Sequence, residues 1–161
     1  MSAAVVLSER RGVGLRAAAI AVALIGLGIA TYLTIVHYAG GSPVCAIAHG
    51  CETVQKSRYA EFAGVPVAVL GLLGYLGIPV AVLGLLGYVA ILASLTRDDE
   101  TSRTATAFIA IAGLAFSAYL TYLELFTIHA ICIWCVGSAV CMLALTGLSV
   151  TRLLRSPVPA R

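Results

Sequence analysis

Apolar residues in this chain come in long uncharged runs, not in the spaced stripes of a helix packed in water. Three such runs cover 17–38, 105–128 with Glu124 as its one interruption, and 131–150. About 20 apolar residues cross a hydrocarbon core of about 30 Å, so each predicts one membrane-spanning helix. A fourth run, 64–95, counts 32 residues, too long for one upright span and too short for two spans with a turn. Its length has a visible origin. Residues 64–76 read GVPVAVLGLLGYL and 77–89 read GIPVAVLGLLGYV, a 13-residue tandem copy with two differences. One copy plus 90–95 suffices to span, so the other is expected as an extension or a half-helix at another angle, with Pro79 as the kink.

The basic residues orient these spans. Arg10, Arg11 and Arg16 precede the first, Arg97 and Arg103 separate the second and third, and Arg152, Arg155 and Arg161 follow the fourth. Only Lys56 and Arg58 fall on the opposite side, so the positive-inside rule predicts both termini in the cytoplasm. The expected fold is an all-α integral membrane protein: a four-transmembrane-helix bundle forming a single domain over 1–161, with an outer loop at 39–63. The first apolar run is too long for the core of a cleaved signal peptide and is read as an uncleaved span. With 61% hydrophobic and 11% charged residues in 161, a soluble globular or disordered chain is excluded. Ten scattered basic residues and a net charge of +3 do not make a nucleic-acid surface.

In this topology four of the five cysteines share the outer side, where disulfides persist: Cys45 and Cys51 in the loop, Cys132 and Cys135 at the head of the last span. The loop pair alone reads equally as a structural staple or as a redox pair. Cys132-Ile133-Trp134-Cys135 is more specific. Residues three apart share a helix face, and the unpaired N–H groups of a first turn favour a thiolate at the leading cysteine. Cys135, one turn deeper, can face a membrane-dissolved oxidant such as a quinone. Two pairs on one face can act as a relay, since exchange proceeds by attack of a thiolate on a disulfide sulfur. Cys141 is left without a cysteine partner and is read as a small buried hydrophobe.

These residues resemble bacterial homologues of vitamin K epoxide reductase. The resemblance is carried by Cys45-x5-Cys51, Ser57 six residues on, the Gly-x-Pro opening of span two, and the C-x-x-C at the head of span four. It implies a quinone-linked thiol oxidoreductase of the bacterial inner membrane with its active site on the periplasmic side. It further implies a periplasmic thioredoxin-fold electron donor, supplied as a separate chain because no such domain is expected after span four. By the same resemblance, Cys45 meets the partner, Cys51 exchanges with Cys132, Cys135 lies next to the quinone, and Ser57 positions the quinone or the loop. The duplication leaves open whether Val65-Pro66 or Ile78-Pro79 lines the pocket.

Several other residues carry two readings. Glu124, an ionisable group at membrane depth, is either a proton relay to the quinone, with Tyr122 beside it, or a carboxylate snorkelling to the interface. Tyr119, Tyr122, Phe126 and Trp134 can stack on a quinone or form an interfacial aromatic belt. Cys45, His49, Cys51 and His129 make a conceivable zinc set, but their spacing matches no structural zinc pattern and thiols on an oxidising face tend to pair, so no metal is expected. Three other readings remain as alternatives: a related four-helix disulfide-generating quinone reductase, whose C-x-x-C lies in the first outer loop instead; a non-catalytic membrane protein with two structural disulfides; and a metal-binding membrane transporter, for which Glu124 is the one intramembrane polar group on offer.

Overall fold

A computed structural model describes residues 3–45, 50–55 and 80–155. Among these every regular element is helical: α1 (Ala3–Tyr38), α2 (Cys51–Gln55), α3 (Val80–Leu95), α4 (Glu100–Leu123) continuing as a π-helical turn (Glu124–Ile128), and α5 (Ile133–Leu154). Gly12–Tyr38, Glu100–Ile128 and Ile133–Leu154 are long and apolar enough to cross a membrane. The fourth apolar helix, α3, has 16 residues, or about 24 Å at 1.5 Å per residue. It is built from the second tandem copy, from Val80 onward, together with residues 90–95. The first copy, Pro66, Ile78 and the expected kink at Pro79 lie outside the described residues, as do Ser57, His49, Lys56 and Arg58.

The four long helices pack side by side, α1 against α3 and α5, and α4 against α3 and α5. Small residues make this close packing possible. Ala19, Ala23 and Ala30 are buried on α1 at helical spacing, and a Cβ at Gly26 would run into the ring of Tyr88. Backbones can then approach closely without a large side chain between them, the usual device of helices in lipid. Tyr88, fully buried on α3, places its hydroxyl 3.1 Å from the Ser138 carbonyl and 3.0 Å from the Ser138 hydroxyl of α5. Large apolar residues point outward instead, among them Leu24, Ile35, Phe108 and Val140. An exposed apolar belt of this kind is stable when the outer surface faces lipid.

The helix ends assemble into two clusters. At one end Asp98 receives Arg103 Nε at 3.0 Å and Arg152 Nη2 at 2.9 Å, with Arg16 Nη1 at 4.0 Å. Arg16 also donates to the carbonyls of Leu95 and Thr96, so α1, α3, α4 and α5 meet around one carboxylate. Neighbouring Asp99 caps α4 by accepting from Ser102 N–H. The opposite end holds the cysteines.

Candidate functional site

Local sequence folds the cysteine loop back over the bundle. Helix α1 ends at Gly40, whose φ of +65° lets Gly40 N–H reach the His37 carbonyl and Gly41 N–H the Val36 carbonyl, a Schellman stop. The chain then returns to Val44. There Tyr32 on α1 accepts the Val44 N–H at 3.0 Å, and Trp134 on α5 donates its ring N–H to the Val44 carbonyl at 2.9 Å. The two rings pack with centroids 4.8 Å apart, so both backbone groups of the residue before Cys45 are held by one aromatic pair. Trp134 and Tyr32 thus fix the loop.

Cys45 and Cys51 form a disulfide with Cα atoms 6.1 Å apart. Gly50, just before Cys51, lies directly on the backbone ahead of Cys132: a Cβ there would stand 2.6 Å from Ile131 N and 2.8 Å from Ile131 O. Only glycine permits this approach, because a backbone neighbour cannot rotate away. Cys51 and Cys132 are both 0% exposed and share one buried cluster with Val54, against which Cys45, Trp134 and Cys135 pack. Cys45 remains partly exposed.

Helix α5 begins where the sequence places it. Cys132 is its N-cap, with extended backbone, and its Sγ accepts the Cys135 N–H at 3.4 Å. Cys132 and Cys135 are free thiols. Cys141 is also free and lies buried among the core residues that join the helices.

Glu124 is 3% exposed and is not a snorkelling side chain. Helix α4 widens into a π turn at this residue and stops at His129, whose φ of +55° reverses the chain. The Glu124 carbonyl accepts the N–H groups of His129 and Ala130, while its carboxylate Oε2 accepts the N–H of Cys132 at 3.1 Å. A carboxylate oxygen of Glu124 also lies within 4.8 Å of the Cys135 sulfur. One residue therefore closes the α4–α5 turn and sits against both sulfurs. A single π turn inside an α-helix is common at functional sites, and here it accompanies this buried carboxylate.

Inside the bundle, next to this cluster, is a cavity of about 410 Å³. Its walls are mainly apolar, with Ile29, Leu33, Phe116 and Met142, and its few polar groups include Cys135, Glu124, Ser138 and His37. The second tandem copy contributes Val80, Ala81, Leu83, Gly84 and Gly87. A mainly apolar cavity with a few convergent polar groups suits a flat organic ring.

The structure therefore brings Cys45, Cys51, Cys132, Cys135 and Glu124 together. It does not bring Tyr122 to them: that residue is exposed, its ring 4.8 Å from Phe126, and it does not line the cavity. Tyr119 is exposed as well, and Trp134 is engaged with the loop. The zinc set read from the loop loses two thiols to the disulfide, and His129 is exposed. Sequence reasoning missed Tyr32, Val44, Gly50 and the Asp98 cluster. Gly40-Gly41, directly after the first apolar run, is the signal that would have revealed the return of the loop. Residues 17–150 match the family model described as the vitamin K epoxide reductase family.

Proposed function

The chain belongs to the vitamin K epoxide reductase family, and on that premise we propose that it is a quinone-linked thiol oxidase that reoxidises a thioredoxin-fold dithiol protein. The observation that carries this reading is the burial of Cys51, already paired with Cys45, in one cluster with the free thiols Cys132 and Cys135 beside an apolar cavity.

The chemistry rests on exposure and position. Cys45 is the more accessible sulfur of the loop disulfide and is the one a partner thiolate attacks, forming a mixed disulfide and expelling Cys51. The second partner thiol then releases the oxidised partner and leaves Cys45 and Cys51 reduced. Cys51 passes the two electrons on by attacking Cys132 when the latter is disulfide-bonded to Cys135, and Cys45 resolves that mixed disulfide. The result is an oxidised loop pair and a reduced Cys132/Cys135 pair, the redox state of the structure.

A bound quinone supplies a two-electron, two-proton acceptor. Cys135, Glu124, Ser138 and the apolar walls are the residues that would hold it. Cys132 keeps its sulfur at the N-terminus of α5, where first-turn N–H groups stabilise negative charge. Glu124 takes the Cys135 thiol proton on its carboxylate and hands it toward the cavity, while its Oε2 holds the Cys132 backbone in place.

The arginine-rich end supports a four-span topology with both termini cytoplasmic and the cysteines on the periplasmic side of a bacterial inner membrane. The test is anaerobic: purified protein, a reduced thioredoxin-fold dithiol and a soluble quinone, with quinol followed by absorbance. Quinol formed by wild type and lost in Cys135→Ala is the expected result. No quinol from wild type, with all four cysteines oxidised in millimolar reductant, overturns the oxidase in favour of structural disulfides.

A further inference from the structure

The sulfur atoms of Cys132 and Cys135 and a carboxylate oxygen of Glu124 all lie within 4.8 Å of one another. We infer that in the reduced protein these three side chains bind a soft divalent metal ion of the zinc type, and that the ion and the Cys132–Cys135 disulfide exclude each other.

The donor set is the reason. Two thiolates and a carboxylate are ligands zinc accepts, at about 2.3 Å from sulfur and about 2.0–2.2 Å from oxygen. Tetrahedral angles at those lengths put the two sulfurs about 3.8 Å apart, a spacing compatible with ligand atoms that all lie within 4.8 Å of one another. The surroundings are organised as the supporting shell of a metal site. Cys135 N–H already donates to the Cys132 sulfur, and Glu124 uses Oε2 for Cys132 N–H, which leaves its other oxygen for an ion. Three protein ligands leave a fourth position, and because Cys135 and Glu124 line the cavity, that position opens toward it. Hard ions such as magnesium prefer all-oxygen sites and are not expected here.

Binding transfers no electrons. The ion enters as the divalent cation, each thiol gives its proton to solvent, and two metal–sulfur bonds and one metal–oxygen bond form. Oxidation of the pair to a disulfide removes both sulfur donors, so occupancy reports the redox state. A loaded site also holds Cys132 and Cys135 reduced, which makes the ion an inhibitor of any turnover through them. Binding itself does not depend on the oxidase reading: the dithiol and the carboxylate are there whether or not a quinone is reduced.

The probe is cobalt(II), titrated into full-length detergent-solubilised protein carrying Cys45→Ser and Cys51→Ser, reduced with a phosphine, so that the loop thiols cannot contribute. One equivalent per chain with a sulfur-to-cobalt charge-transfer band is the expected result. That band is lost when Cys135→Ser is added, and the dissociation constant rises at least about tenfold with Glu124→Gln. In otherwise wild-type protein oxidised with diamide, the band is absent. A missing band in the reduced protein overturns the inference, as does a band unaffected by Cys135→Ser or by Glu124→Gln. Far-ultraviolet circular dichroism of each variant shows helix retained, and if Cys135→Ser is unfolded the Glu124→Gln titration decides. Quinol formation, measured separately, distinguishes failure of the oxidase from failure of the metal site.

Discussion

The two ends of the bundle solve the same problem with opposite chemistry. Each ties together helices whose outer surfaces offer no specific contact. At the arginine end the tie is one carboxylate, half exposed, shared by Arg16, Arg103 and Arg152. At the cysteine end it is a backbone docking of Gly50 on Ile131, an aromatic clamp on Val44, and a buried carboxylate that closes the turn. Water reaches the charged tie at Asp98, Arg16 and Arg103, where ion pairs contribute little, and only Arg152 is buried in it. The dry tie is intolerant, because sulfur exchange needs atoms in contact and a displaced backbone cannot be compensated by a rotamer. Positioning strictness therefore belongs to the end for which the chemistry is proposed.

That contrast can be broken at either end. The largest expected effect is that of Glu124→Gln, which keeps an oxygen to accept Cys132 N–H but cannot take a proton. Turnover to quinol is expected to fall by about 10² to 10⁴, with thermal stability little changed. An equal loss of stability would show that Glu124 acts only through the fold. Next comes Gly50→Ala, whose Cβ would meet the Ile131 backbone and lift Cys51 off Cys132. Oxidation of the partner protein should slow by about 10², the cost of a displacement on the order of 1 Å, while direct reduction of Cys132–Cys135 by a small dithiol proceeds as in wild type. Unchanged partner oxidation would mean that the loop docks elsewhere during turnover.

Trp134→Phe keeps the ring and removes one hydrogen bond to Val44, worth about 1 kcal/mol. A several-fold rise in the KM for the partner with kcat nearly unchanged is the expected pattern, read from initial rates. The smallest effect is at the arginine end. Burial works against the Asp98 carboxylate, but hydrogen bonding and charge from Arg103, with Arg152 and Arg16, outweigh it and hold the group below its ordinary value. A folded value below the unfolded one stabilises above about pH 3.9 and loses that contribution as the pH falls through the folded value. Melting curves of wild type and Asp98→Asn should therefore differ slightly at neutral pH, by less than about 1 kcal/mol, and converge in acid below about pH 4. A large difference at neutral pH would make the arginine end as strict as the cysteine end.

Uncharged run length was enough to locate four apolar helices, because a hydrocarbon core imposes one length on any chain that crosses it. Helix starts were legible where a side chain marks them. The C-x-x-C stood at the head of the last span in the sequence and caps α5 in the structure. Run length did not show that α1 continues back to Ala3 or that α4 widens at Glu124, since helix continuity through polar residues and a π turn depend on partners far along the chain.

Residue types and spacing also determined the candidate chemistry: two cysteine pairs, one ionisable group at membrane depth, and a family resemblance that the match over 17–150 supports. Three matters were decided only by tertiary structure. Glu124 turned inward to Cys132 while Tyr122, two residues away, turned outward to Phe126, because a helix separates neighbours by about 100° and only packing chooses which face is buried. The second tandem copy became a cavity wall through its contact with α1 and α4. Gly50 met Ile131 across a sequence separation that no local pattern encodes. Long uncharged apolar runs specify that helices form and roughly how long they are. Which atoms meet between them depends on the shapes of small residues on several helices at once.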